Sequence, residues 1–455
     1  VTGNYNTALG NSSLDALTSG TLNVGAGRLA LAANTTGSNN IAVGASALAA
    51  NTTADNNVAV GIQAMESNTT GNLNVAIGGL ALRSNTVGDR AVAIGYNALQ
   101  AQAPTSNTDT YNIAIGLNAM FATTTGINNV AVGGLALDAN TTSSSNTAIG
   151  YGAMSGLTTS SGGNTAVGTN SLVACTTGDS NTAVGFEAVE KCTTGIHNTG
   201  MGYRANFTAT TGSYNVSLGN FTNDAITTGS ENVSLGYGAG SAITTGGDNI
   251  SIGNNASNVT TGSFNTIIGG DTLSNNGTTN NVNVLGFGVV GETGYTTLGI
   301  TGSDIRAEHG VASWATVSDR RVKKDIEDST AGLSFINDLR PRTFNYKNKG
   351  DLPEEFRGYE KDSTEPYKFS TTNHGFIAQE VKEAIDNHPE IVDGFKMWSV
   401  MESGQQEVAE TALIPMLVKS IQELSKEIEE LKKNSHKPKG LKDMDGYDEL
   451  MAEIK

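Results

Sequence analysis

The sequence predicts a mainly β chain: a long solenoid, or β-roll, of 17-residue coils, followed by a smaller α+β region that ends in a heptad helix. Three observations carry this. Glycine returns at a fixed interval through the first 286 residues. Lysine and arginine are scarce up to residue 317, with 6 against 16 Asp and Glu, and frequent afterwards, with 21 against 28. Finally, "ALIPMLVKSIQELSKEIEELKKN" places Ile414, Leu417, Ile421, Leu424, Ile428 and Leu431 at alternating steps of 3 and 4, the spacing of a coiled-coil seam.

The repeat comes first in the chain. "NTALG" ends at Gly10, and equivalent glycines follow at Gly27, Gly44, Gly61, Gly78 and Gly95, each step being 17. A four-residue insertion around "APTSNTDTYN" moves the next to Gly116, and steps of 16 to 18 continue to Gly286. One unit reads N-x-A-V/I-G-x-x-A-L-x-x-N-T-T-G-x-x. It is too short and too poor in large apolar groups to bury a core alone, so units must stack on their neighbours. The alternating "NxAVG" half predicts a short strand. The "xxALxxNTTG" half reads as a second strand or one helical turn, closed by Asn and Gly in turn conformations. Repeated Asn, Thr and Ser at one register predict side-chain ladders. With strands roughly 4.8 Å apart, the 1–286 shaft would be a rod on the order of 80 Å long.

Composition excludes several classes. Of 455 residues only 16% are charged, with 56 Gly and 7 Pro and no Gly-x-y period, which excludes collagen. Both parts are net acidic and lack basic clusters with stacking aromatics, so no nucleic-acid partner is expected. No apolar run reaches the ~18 residues of a membrane span. Nothing calls for a cofactor or shows metal-ligand spacing. The recurrent "NTT" is read as turn chemistry, not as glycan acceptors. The chain begins at Val1 in mid-pattern, without a Met or leader, as expected of a fragment or processed product. Cys175 and Cys192 are one coil apart: either two stacked free thiols or a disulfide, since a coil spacing near 5 Å lies within disulfide range.

Residues 287–317 break the period yet remain strand-like, and read as a β-stem or collar sealing the last coil. Residues 318–412 read as α+β: a short helix in "AGLSFINDL", a turn at Pro341, a strand, a polar insertion at 351–373, then a "GFIAQEV" helix preceded by His374. The heptad helix spans 413–433. Isolated parallel coils with Ile at a and Leu at d favour two strands, so a trimer needs an attached trimeric body to set the number. The other reading packs this helix on its own domain. Residues 434–455 read as a linker and a short acidic helix.

The repeats resemble the β-roll heads of trimeric autotransporter adhesins, and more closely the "NTAVGYxAL…NTTG" arrays of phage tail fibres. "SDRRVKKDI" at 318–326 and "HGFIAQEVKEAI" at 374–385 resemble the intramolecular chaperone family at the C-termini of endosialidases, tail spikes and tail fibres. Ser318, Asp319, Arg321, Lys323 and Ile326 fall on that pattern. The resemblance implies a homotrimer, assembled by this domain, which then cuts itself from the fibre. Ser318 would be the nucleophile and Lys323 the general base, with cleavage between Val317 and Ser318 and Asp319, Arg321 and His374 as supporting residues. A serine needs a neighbouring base, and a lysine serves only when neutral, which burial or nearby positive charge favours. Arg320, Arg321 and Lys324 crowd around Lys323 and push that way, whereas an unoccupied Asp319 pushes back. Lys324 is the rival base.

The implied protein is a virion tail fibre whose partners are its own copies, other tail or baseplate proteins, and a host glycan or protein receptor. Its only expected enzymatic act is one self-cleavage. The alternatives are a bacterial surface adhesin of trimeric-autotransporter type and a glycan-binding or glycan-degrading spike. No paired carboxylates of the kind a glycosidase needs stand out among the repeats, and ice binding lacks a regular T-x-T pattern.

Overall fold

The computed structural model describes residues 2–159, 162–311, 313–316, 318–356, 358–368, 370–391, 395–435 and 447–454. The chain divides into two compact units, Val1–Val317 and Ser318–Lys455.

The first unit is a β-solenoid. Each coil contributes a three-residue strand that pairs in parallel, in register, with the equivalent strand of the next coil: Ile41 with Val58, Ala42 with Ala59, Val43 with Val60. The four-residue insertion does not disturb the register, since Val92 still pairs with Ile113. The extra residues leave the coil beside a short Gly88–Asp89 to Thr108–Asp109 pairing. The central strand residue faces inward and is fully buried, as at Ala42, Ala59, Ala76 and Ala93. The flanking aliphatics point outward: the Ile41–Val43 strand is exposed, buried, exposed along its length.

The half-coil after each glycine is neither a second strand nor a helical turn. Its residues alternate in handedness: Ser46 and Leu48 take φ of 58° and 51°, and Gln63 and Met65 take 56° and 52°. Alternate amides consequently point within and between coils. Ala47 N–H donates to Gly44 O at 3.3 Å, while Leu48 N–H donates to Ala64 O at 3.0 Å in the next coil. A left-handed leucine costs about 1–2 kcal/mol. The continuous inter-coil bonds and complete burial of Leu48, Leu82, Leu99 and Leu137 offset that cost. Sequence periodicity could not show this, because leucine carries no left-handed preference of its own.

Two buried polar ladders run along the interior. In the first, Asn181 Nδ2 donates to Asn164 Oδ1 at 3.3 Å and to Gly195 O at 2.8 Å, while its Oδ1 accepts from Asn198 N–H at 2.9 Å. The second runs through Asn34, Asn51, Asn68 and Asn85 at 2.9 to 3.2 Å. It turns apolar further along, with Leu157, Ile226, Ile243 and Val259 at the same register and fully buried. Cys175 and Cys192 occupy this register between Leu157 and Ile226, and both are free and buried. Their Sγ atoms reach Gly178 O at 3.5 Å and Gly195 O at 3.4 Å. The hydrogen bond with Cys175, then burial, push the Cys192 thiol up, so it stays protonated.

The parallel edge is closed by a hairpin. Tyr295–Ile300 continues the parallel pairing from Asn283–Phe287, and Ser303–Glu308 then folds back antiparallel. A strand edge left open would invite pairing with another chain.

The second unit has a small core of Ala331, Phe335, Leu339, Val381, Ala384, Ile385, Ile391, Met397 and Leu413. It is built from α1 (Leu333–Asp338), a strand pair Arg342–Phe344 with Asn373–Gly375, α2 (Ala378–Asp386), a hairpin Trp398–Val400 with Gln406–Val408, α3 (Ile414–Ser435) and α4 (Tyr447–Glu453). One expectation is corrected here, and one element is new. The "GFIAQEV" helix begins only at Ala378, because Asn373–Gly375 is held extended by pairing with Arg342–Phe344. The 398–408 hairpin has no counterpart in the sequence reading. α3 does lie on its own domain, but not through the heptad seam. Ser420 is buried, and Glu423 Oε2 accepts from Leu333 N–H at 2.7 Å at the start of α1. The six seam residues remain 41–68% exposed.

Candidate functional site

The second unit opens with a single tight turn. Arg320–Val322 forms one 3-10 turn, closed by Val322 N–H to Asp319 O at 3.1 Å and Lys323 N–H to Arg320 O at 3.2 Å. Asp319 caps it: Oδ1 accepts from Arg321 N–H at 2.8 Å, the usual arrangement for an acidic N-cap. The turn folds residue 323 back on residue 318, and Lys323 Nζ lies 2.7 Å from Ser318 Oγ. A neutral lysine at that distance is in place to take the serine proton and leave an alkoxide-like nucleophile.

The surrounding charges are sorted. Asp319 is occupied by the Arg321 guanidinium, with Nη2 to Oδ2 at 2.6 Å and Nε to Oδ1 at 3.0 Å, which holds the carboxyl below its usual range. Lys324 faces Asp325 at 3.9 Å, so the geometry pairs Ser318 with Lys323 and not with the rival base. Ser318 and Lys323 are both exposed in the single chain. Val317, on the other side of the expected scissile bond, lies outside the described residues.

His374 is not part of this arrangement. It sits on the strand Asn373–Gly375 and lines a cleft of about 760 Å³ with Phe344, Tyr346, Tyr367, Gln379 and Glu410. The histidine that the sequence reading passed over is His388. It is nearly buried, with Nε2 2.8 Å from Asp338 Oδ2 and Nδ1 3.0 Å from Glu390 Oε1, and it packs edge-on against Phe335 at 5.4 Å. Only the neighbouring Glu390 was visible in sequence; Asp338 is fifty residues away. Burial pulls His388 down, but the hydrogen bonds to Asp338 and Glu390 outweigh it and raise the histidine. A raised histidine contributes stability that is fully present below its unfolded value of about 6.5 and is lost as pH rises through its folded value. The melting temperature of the second unit should therefore fall as pH is raised above about 6.5, and His388→Gln should flatten that slope. An unchanged slope in the variant would mean that other groups set it.

Among the described residues, no group of three or more His, Cys, Asp or Glu side chains is placed to hold a metal ion. No described helix is long and apolar enough to cross a membrane. The shaft carries an external aromatic run that the sequence reading did not single out: Phe186 stacks on Tyr203 at 5.6 Å, and Phe221 meets Tyr203 and Tyr237 edge-on at 5.1 and 5.8 Å. Its members recur at or next to the position after the repeat glycine, which is the signal that would have found it.

No curated protein and no solved structure matches the chain. A family model does: residues 318–389 match Peptidase S74, the chaperone of endosialidase. The match begins at the serine that Lys323 contacts and ends just after His388. The chain thus joins a β-solenoid of about seventeen turns to a chaperone of endosialidase domain, the tail-fibre arrangement that its sequence resembles.

Proposed function

We propose that this protein is a homotrimeric phage tail fibre or tail spike. Its C-terminal domain aligns three copies and then cuts itself away between Val317 and Ser318. The observation that carries the reading is the 2.7 Å contact between Lys323 Nζ and Ser318 Oγ at the first residue of the matched domain. Two further features support a trimer. The α3 seam from Ile414 to Leu431 is exposed although α3 packs on its own domain through another face. The outward aliphatic positions of the rungs, among them Ile41, Val43, Ile113 and Ile115, form an exposed stripe along the sheet.

Assembly would also supply what the single chain lacks, since an exposed lysine is not desolvated and a base must be neutral to act. Cleavage would follow assembly in that order, and loss of the aligning domain would leave the shaft kinetically difficult to take apart. The shaft would serve as a stiff spacer and attachment surface on the virion, joined to other tail proteins and facing a host receptor.

The test is native and denatured mass of the same sample. A native trimer whose denatured chains are residues 1–317 and 318–455 supports the reading. Ile421→Asp with Leu424→Asp should place charges in the seam, leave the chain monomeric and prevent cleavage, because a buried unpaired carboxylate costs several kcal/mol. A double variant that still forms trimers would remove α3 from the interface.

A further inference from the structure

We infer that Asp319 and Arg321 form a positioning pair that reserves Lys323 for Ser318. The inference rests on the self-cleavage reading above. Five residue steps of extended chain span roughly 17 Å, so contact between Ser318 and Lys323 depends wholly on the intervening turn. That turn is three residues long and buries none of them, and no core packing holds its shape. What holds it is local: the two backbone bonds that close it, and the Asp319 carboxylate accepting from Arg321 N–H at 2.8 Å.

The same carboxylate is also a threat to the site. Asp319 adjoins Ser318 in sequence, and an ammonium prefers an ionised carboxylate to a neutral hydroxyl as partner. Left unpaired, Asp319 would draw Lys323 away from Ser318 and favour its charged form. Arg321 removes that competition. Its Nε lies 3.0 and 3.1 Å from the two carboxylate oxygens and its Nη2 2.6 Å from Oδ2. One side chain therefore caps the turn with an oxygen, while the other cancels the charge that comes with it. Lys324 is kept aside in a similar way by Asp325. Both members of the pair act through Lys323 and neither touches the bond to be broken, so they are positioning residues, not catalytic ones.

The pair is solvent-exposed, so its effect is modest and its signature is rescue, not abolition. Cleavage of the full chain is followed by intact mass over time for the wild type, Arg321→Ala, Asp319→Ala and the double variant Asp319→Asn with Arg321→Ala, with Ser318→Ala as the uncleaved reference. Arg321→Ala should be slower by about fivefold, the upper range for an exposed ion pair. The double variant should return to within about twofold of wild type, because Asn caps a turn as well as Asp without carrying a charge. Asp319→Ala should be slow through loss of the cap. A double variant no faster than Arg321→Ala overturns the pairing and leaves self-cleavage intact. A wild-type chain that stays whole, or a Ser318→Ala chain that is cut, sinks the self-cleavage reading and the inference with it.

Discussion

Ser318→Ala should leave every chain whole under conditions in which the wild type separates into residues 1–317 and 318–455, with trimer formation unchanged. The side chain is exposed and its only hydrogen bond among the described residues is the one from Lys323 at 2.7 Å, so truncation removes a nucleophile without disturbing a core. Lys323→Ala should slow the same step by about 10²–10⁴-fold, the range for loss of a general base. Lys323→Arg is the sharper test. Arginine keeps the positive charge and the reach to Ser318, yet it does not deprotonate in proteins. A base role predicts an uncleaved arginine variant; cleavage at the wild-type rate would mean that residue 323 only anchors the serine. Lys324→Ala should have little effect, since Lys324 faces Asp325.

The second large effect belongs to the shaft. Gly185 has φ of +137°, and a Cβ built on it would lie 2.4 Å from Gly202 O, a backbone atom of the next coil. The equivalent contact repeats at Gly168, 2.3 Å from Gly185 O, and at Gly202, 2.5 Å from Gly219 O. No side-chain movement relieves a clash with a backbone that is itself bonded to coils on both sides. Gly185→Ala should cost more than about 4 kcal/mol, combining backbone strain with displacement of a hydrogen-bonded rung. Gly310→Ala is the control: its φ is +85°, but nothing lies within 4 Å of the added carbon, so only the conformational cost of about 1 kcal/mol remains. The pair can be compared by limited proteolysis and thermal unfolding of the full chain. Equal effects at the two sites would show that coil-to-coil approach is not what requires glycine.

Much of the shaft was legible because its constraint is local and repeated. A coil must close in about 17 residues to stack on the next. The narrow inward position must then be small, the close backbone approach must be glycine, and the inner amides need a side chain such as Asn that both donates and accepts. These demands recur in every coil and write themselves into the period. Ser318 and Lys323 were legible only through the resemblance of 318–326 and 374–385 to the chaperone family; the turn that brings them together came from the structure.

Other features depended on partners far away in the chain, or on conformations that residue type does not announce. The left-handed leucines are imposed by the hydrogen-bonded stack, against their own preference. Where the inner residue becomes Asn223, Ser217 and Ser234 replace the alanines and bond to it at 2.8 and 2.6 Å, an exchange visible only once adjacent coils are superposed. Helix α2 starts late because Arg342–Phe344, some thirty residues earlier, holds the His374 segment extended. His388 finds Asp338 across fifty residues, and Glu423 reaches the first turn of α1 across ninety. In α3 the heptad spacing identified one apolar seam, but which face meets the domain was decided by Ser420 and Glu423. The sequence by itself thus determined the coil, the rung and the glycine ladder, because each follows from short-range geometry, whereas the pairing of Ser318 with Lys323 came only from the resemblance to the chaperone family. The tertiary structure alone decided handedness in the second half-coil, the partner of each buried polar group and the face that α3 leaves free. Those are settled by which distant groups satisfy one another when packed, and a linear pattern does not encode that choice.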